Sequence, residues 1–236
     1  MKHNMTIKIY CLPGTMCDQR LWQACITYLP ENVELIHIAI PVENSIDKIV
    51  TALEQKFPVG KINLAGFSLG GYIASAFALK YPNKINKLLL ISNMSYLLPP
   101  AQLKERSRTI AYVKLHGYSG ITSKRITALL HASKHNNQGI INCIRAMDIE
   151  LGKDTLIHQL TVTTQRENLL VKLPTLAIPI QFLIGDNDSL VKLTRITAIL
   201  TQSPLISLIT LADTGHMLPL EQPEKCAGNM IRFFIE

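Results

Sequence analysis

Hydrophobic and polar positions follow two alternating rhythms through the first 92 residues. The stretches 6–12 (TIKIYCL), 33–40 (VELIHIAI), 61–67 (KINLAGF) and 85–92 (INKLLLIS) are short, rich in Ile, Leu and Val, and bounded by Gly, Pro or Asn. Such near-continuous apolar runs predict strands buried on both faces. Between them, 18–29, 44–57 and 69–81 carry helical spacing, as with Ile46, Ile49, Val50, Leu53 and Phe57, and Pro58 ends that helix. Strands alternating with helices predict a parallel sheet with helices on both faces.

The rhythm breaks after Ser92 and resumes with strands at 178–185 and 205–212 and a last helix near 222–235. Residues 94–172 carry no convincing strand. Helices are expected there near 101–115, 123–135, 138–151 and 155–167, separated by Gly117, Gly120, Asn136, Asn137 and Gly152. This pattern predicts a helical lid, 94–172, inserted in a core made of 1–93 and 173–236. Its expected place is over the carboxyl ends of the strands, where open parallel sheets hold their ligands.

Composition narrows the class. Hydrophobic residues make up 47% and charged residues 17% with no low-complexity tract, which excludes a disordered chain, and 236 residues suit one large core. No apolar run approaches the roughly 20 residues of a membrane span, and the first residues lack the apolar length and cleavage site of a signal peptide. A soluble cytoplasmic protein is the expectation. Five cysteines, Cys11, Cys17, Cys25, Cys143 and Cys226, match neither a zinc site nor a CxxC pair, so reduced and mostly buried thiols are expected. The net charge of +7 comes without a run of four basic residues and without basic residues interleaved with aromatics, so no nucleic-acid partner is expected. That charge is concentrated: residues 94–172 hold eleven Lys and Arg against five acids, a net +6, leaving +1 for the rest. A basic lid would favour an anionic substrate or an acidic acyl carrier protein, and an ordinary solvated basic surface is the alternative.

The chemistry-bearing stretch is LAGFSLGGY, 64–72, in which Gly66-Phe67-Ser68-Leu69-Gly70 matches G-x-S-x-G at a strand-to-helix junction. Such a turn holds the serine in a strained conformation, and glycines two residues to either side let strand and helix pass closely. The hydroxyl then stands over the sheet edge, and the N–H of Leu69, at a helix N-terminus, points to the same space. A phosphate loop would need Lys-Ser or Lys-Thr after its last glycine, where Gly71-Tyr72 stands. A dinucleotide fingerprint would need G-x-G-x-x-G after the first strand, where the chain reads LPGTMCD.

A serine hydroxyl is a poor nucleophile at its ordinary pKa and needs a histidine base oriented by a carboxylate, expected after the serine in the order acid, then histidine. FLIGDNDSLV places Asp186 and Asp188 just after a strand, and LADTGHMLPLEQPE places His216 after the last strand. Of the other histidines, His3 and His37 read as surface or satisfied residues. His116, His131, His135 and His158 belong to the lid helices, facing solvent or core, with a pocket-lining place for one of them the alternative.

In LPGTMCDQRLWQ, GFSLGG, YPNKINKLLLIS, IPIQFLIGDNDSLV and GHMLPLEQPE, the chain resembles the α/β-hydrolase superfamily over nearly its whole length, most closely the small lidded esterases and lactonases. The resemblance implies an α/β-hydrolase fold with a mostly parallel sheet. Few residues precede the first strand, so the sheet is expected to be trimmed to about six strands. It implies Ser68 as nucleophile, His216 as general base and Asp188, three positions after Gly185, as the acid, with Asp186 the runner-up. Leu69 supplies one oxyanion N–H. The other belongs to the residue after His-Gly, here replaced by Pro13-Gly14, which gives Thr15, with Met16 the alternative. The implied substrate is a small-molecule carboxylic ester, or a thioester or lactone, cleaved with neither metal nor cofactor. Serine at the elbow argues against haloalkane dehalogenases and epoxide hydrolases. A lyase or acyltransferase using the same site, and a catalytically silent binding protein, are the competing classes.

Overall fold

The structure, a computed structural model, describes residues 6–235; His3 lies outside the described residues. Six strands, β1 (Ile7–Leu12), β2 (Val33–His37), β3 (Ile62–Phe67), β4 (Ile85–Ile91), β5 (Ile180–Gly185) and β6 (Ile206–Leu211), form one sheet in the order β2-β1-β3-β4-β5-β6. Every neighbouring pair is parallel. The trimmed six-stranded sheet expected from the sequence is the observed one.

Alternation along each strand divides the core into two layers. On one face Tyr10, Leu12, Leu64, Leu88, Leu90, Phe182 and Ile184 pack with α2 (Ile46–Glu54), α3 (Leu69–Lys80) and α7 (Leu193–Leu200). On the other, Ile9, Cys11, Ala65, Phe67, Leu89, Ile91 and Leu183 meet α1 (Arg20–Ile26) and α9 (Pro223–Ile235). Both faces are apolar because both are covered, which is why these strands read as unbroken apolar runs. All five cysteines are free; Cys143 is half-buried and the other four are buried, where burial pushes the Cys17 thiol up to about 12. Among the described residues no helix is long and apolar enough to cross a membrane.

Between β4 and β5 lie α4 (Pro100–His116), α5 (Ser123–Leu129) and α6 (Gln138–Val162), the last interrupted at Gly152 by φ 70°. Gly152 thus falls where the sequence placed a break. The expected helix over 123–135 differs. It stops at Leu129, and the chain runs extended through Leu130 and His131 before a 3-10 turn at Ala132–Lys134. The reason is that this backbone is bonded elsewhere: Leu129 O accepts from the N–H of His216 at 2.8 Å. The strand expected over 33–40 ends at His37, since β2 is an edge strand whose register with β1 runs out at the Cys11–His37 pair. The last helix divides into α8 (Leu218–Glu221) and α9, because Pro223 disfavours a helical conformation at Gln222.

Candidate active site

The strand β3 and the helix α3 are joined by one residue, Ser68, at φ 48° and ψ −113°. A side chain there is strained, and its surroundings hold it in place. The Ser68 N–H donates to Ile91 O at 2.9 Å, and Asn93 Nδ2 donates to Ser68 O at 2.7 Å. The glycine requirement is steric. A Cβ on Gly66 would stand 2.4 Å from Gly70 O, and one on Gly70 would stand 2.4 Å from Leu12 O. Strand, helix and the β1 loop therefore approach to a distance only glycine permits.

Two loops at the same end of the sheet bring up the other groups. The turn after β5 carries Asp188 and the turn after β6 carries His216, and they interlock at Gly185, where a Cβ would meet Thr214 O at 2.3 Å. His216 Nε2 lies 2.9 Å from Ser68 Oγ, and His216 Nδ1 lies 2.8 Å from Asp188 Oδ2 and 3.0 Å from Oδ1. The Asp188 side chain is fully buried and that of His216 is 5% exposed. Asp188 Oδ1 also accepts from the Leu190 N–H at 2.8 Å, which fixes its orientation. A carboxylate accepts only, so Nδ1 carries the imidazole proton and Nε2 faces the serine hydroxyl as acceptor.

Asp186 is exposed, and its hydrogen bonds go elsewhere than the imidazole; its Oδ1 accepts from Asn187 Nδ2 at 2.6 Å and the Thr214 N–H at 3.2 Å. Thr15 and Leu69 line a cavity of about 80 Å³ together with Ser68 and His216. Met16, at φ 55°, does not offer its N–H to that space, for it donates to Gln159 Oε1 in α6 at 2.9 Å. The helix α6 is also tied to the start of α1 by Arg20, which pairs with Glu150 at 2.8 Å.

The structure adds residues that the sequence did not single out. Glu221 is 3% exposed, and its Oε2 accepts from the N–H of His131 at 2.7 Å and that of Gly215 at 3.1 Å. It thereby joins the segment after α5 to the loop that carries His216. Burial pushes this carboxyl above its ordinary 4.5, against the pull of the two N–H groups. The signal was present in GHMLPLEQPE, but a glutamate in a stretch with two prolines reads as surface. Glu221→Ala leaves the buried Gly215 N–H and the part-buried His131 N–H unpaired, at about 1–3 kcal/mol each. For a domain of this size the melting temperature should fall by about 5 °C or more, measurable by calorimetry. Glu221→Gln keeps an acceptor. A folded-state pKa above the unfolded one means that the wild type loses stability as pH rises from the ordinary glutamate value towards the raised one; the glutamine variant should lack that slope.

Sheet order, elbow and interlocked loops define the class. A family model described as the alpha/beta hydrolase fold matches residues 42–133. The chain has the α/β-hydrolase fold, and the resemblance to that superfamily holds. Among curated proteins it is similar to monoacylglycerol lipase ABHD6 of Bos taurus, 22% identical over 95% of this chain and 74% of that one. It is also similar to the 1-acylglycerol-3-phosphate O-acyltransferase ICT1 of Saccharomyces cerevisiae, 26% identical over 73% of this chain and 55% of that one. Among solved structures, a malate-bound esterase from Thermogutta terrifontis aligns with a TM-score of 0.83 at 24% identity, over 97% of this chain and 89% of that one. The enol-lactonase of Burkholderia xenovorans LB400 aligns with a TM-score of 0.85 at 14% identity, over 100% and 94%.

Proposed function

We propose that this protein is a serine hydrolase that cleaves a carboxylic ester through an acyl-enzyme intermediate. The fold and its hydrolase relatives support hydrolysis of esterase or lipase type. The observation that carries the finer reading is the continuous chain from Ser68 Oγ through His216 to a buried Asp188, with links of 2.9 and 2.8 Å. In this reading His216 Nε2 takes the hydroxyl proton as Ser68 attacks the acyl carbon. Asp188 holds the Nδ1–H and stabilises the imidazolium. The N–H groups of Leu69 and Thr15 face the developing oxyanion, a placement supported by the commitment of the Met16 N–H to Gln159. The imidazolium returns its proton to the leaving alkoxide, and water, deprotonated by the same histidine, releases the acid.

The segment 94–172 is proposed as the lid that closes over this site and selects the acyl chain. Met94, Tyr96, Leu98 and Gln102 of that segment line the cavity. No step calls for a metal or a cofactor. The test is an activity screen with p-nitrophenyl esters of graded chain length, followed by hydrolysis of the best substrate in 18O-labelled water. One labelled oxygen in the product acid is expected. Turnover without labelled acid would replace hydrolysis by acyl transfer or elimination.

A further inference from the structure

We infer that Arg106 and Arg166 form an anion-binding subsite beside Ser68, so that the substrate is an ester carrying a second group with anionic oxygens, a carboxylate or a phosphate. The inference deepens the ester-hydrolase reading and rests on it only for the fate of the bound molecule.

The two residues reach the site from different elements, Arg106 from α4 and Arg166 from the segment after α6, and both line the cavity that holds Ser68 and His216. Both are held in place by one buried residue, Thr163. Arg106 Nη1 donates to Thr163 Oγ1 at 2.7 Å, and Arg166 Nε donates to Thr163 O at 2.9 Å. The Arg166 guanidinium also lies over the Tyr72 ring, 4.7 Å from its centroid, a contact that fixes the plane of the fork. These contacts are to neutral groups and leave the outer N–H groups of Arg166, and Nε and Nη2 of Arg106, without a protein partner among the described residues.

What is missing around them is negative charge. Among the described residues no carboxylate lies within 4 Å of either guanidinium. The nearest acids in sequence are engaged elsewhere: Glu105 pairs with Arg125 at 3.8 Å and Glu167 with Lys172 at 2.7 Å. Burial pushes Arg106 down to about 10, with repulsion from Arg125 next, and burial followed by repulsion from Arg106 pushes Arg166 to about 9. Both stay cationic at neutral pH. Two like charges, partly desolvated and unneutralised, are a cost to the free protein, and an anion that accepts from both forks removes it. Their place beside the nucleophile makes substrate the natural source of that anion, whereas a basic surface serving only solubility would turn its charges outward.

The test measures binding in Ser68→Ala, where no turnover interferes, by isothermal titration of three probes: monomethyl succinate, the phosphonate methyl 3-phosphonopropanoate and neutral dimethyl succinate. One of the charged probes should bind at least about tenfold more tightly than the neutral diester, and which one does so identifies the anion. Arg106→Met and Arg166→Met, each added to Ser68→Ala, should erase the preference. Equal affinity for charged and neutral probes overturns the subsite, and so does a preference that survives both arginine changes. If either arginine variant loses its thermal unfolding transition, the comparison in Ser68→Ala alone decides. The ester-hydrolase reading fails separately, if wild-type protein binds the charged ester and leaves it intact along with every ester in the screen.

Discussion

Ser68→Ala is expected to lower kcat for ester hydrolysis by about 10⁴- to 10⁶-fold, leaving only the rate that binding and the oxyanion N–H groups supply. The fold should be kept, for reasons specific to this turn. The strained φ of 48° is already borne by a residue with a Cβ, so alanine meets the same cost. The bonds that hold the turn, Ser68 N to Ile91 O and Asn93 Nδ2 to Ser68 O, are made by the Ser68 backbone and remain. Only the contact from Oγ to His216 is lost. The check is steady-state hydrolysis of a p-nitrophenyl ester beside labelling with a fluorophosphonate probe, whose adduct should map to Ser68 in the wild type and vanish in the variant. Hydrolysis within tenfold of wild type in a variant with an unchanged melting temperature would remove Ser68 from the chemistry.

The sheet was legible in the sequence because it is covered on both faces. Every strand that pairs on both edges has apolar side chains pointing both ways, as in β4, where Leu88 and Leu90 serve one layer and Leu89 and Ile91 the other. Helix boundaries were less legible where tertiary bonds compete with local propensity. Nothing in ITALLHASKH marks Leu130 and His131 as extended, since the cause is a loop some 85 residues away that needs the Leu129 carbonyl and the His131 N–H. The segment between β4 and β5 carries little amphipathic signal; α4 buries only Val113, so the facing of Arg106 has no periodic cue.

The convergence of Ser68, Asp188 and His216 was legible because each follows a buried strand on the same edge of a parallel sheet, a position that topology assigns without coordinates. The supporting groups were not. Glu221 and Gln159 look like surface residues by type, and their burial follows from partners 90 and 143 positions away. Arg106 and Arg166 entered the sequence only as part of a net charge. What separates a solvated lysine-rich face from a recognition site is the absence of carboxylates within reach, a spatial fact that no count of charges contains.

The two aspartates after β5 give the sharpest discrimination. Asp188→Asn should lower kcat/KM by about 10⁴-fold, and Asp186→Asn by no more than about threefold. At Asp188 the carboxylate accepts the Nδ1–H with both oxygens, at 2.8 and 3.0 Å. An amide in its place can turn its N–H₂ towards Nδ1, which moves the imidazole proton to Nε2, where it faces Ser68 Oγ and cannot serve as a base. The Leu190 N–H drives that choice, because it takes the amide oxygen at the position where it now bonds Oδ1 at 2.8 Å and so leaves the amine for the imidazole. At Asp186 the bonded oxygen survives as the asparagine carbonyl, which still accepts from the Thr214 N–H, and the exposed carboxylate makes no hydrogen bond to the imidazole. Both variants keep the shape of the wild-type side chain, so circular dichroism should be unchanged and the rates should report chemistry alone. The opposite ranking would transfer the orienting role to Asp186.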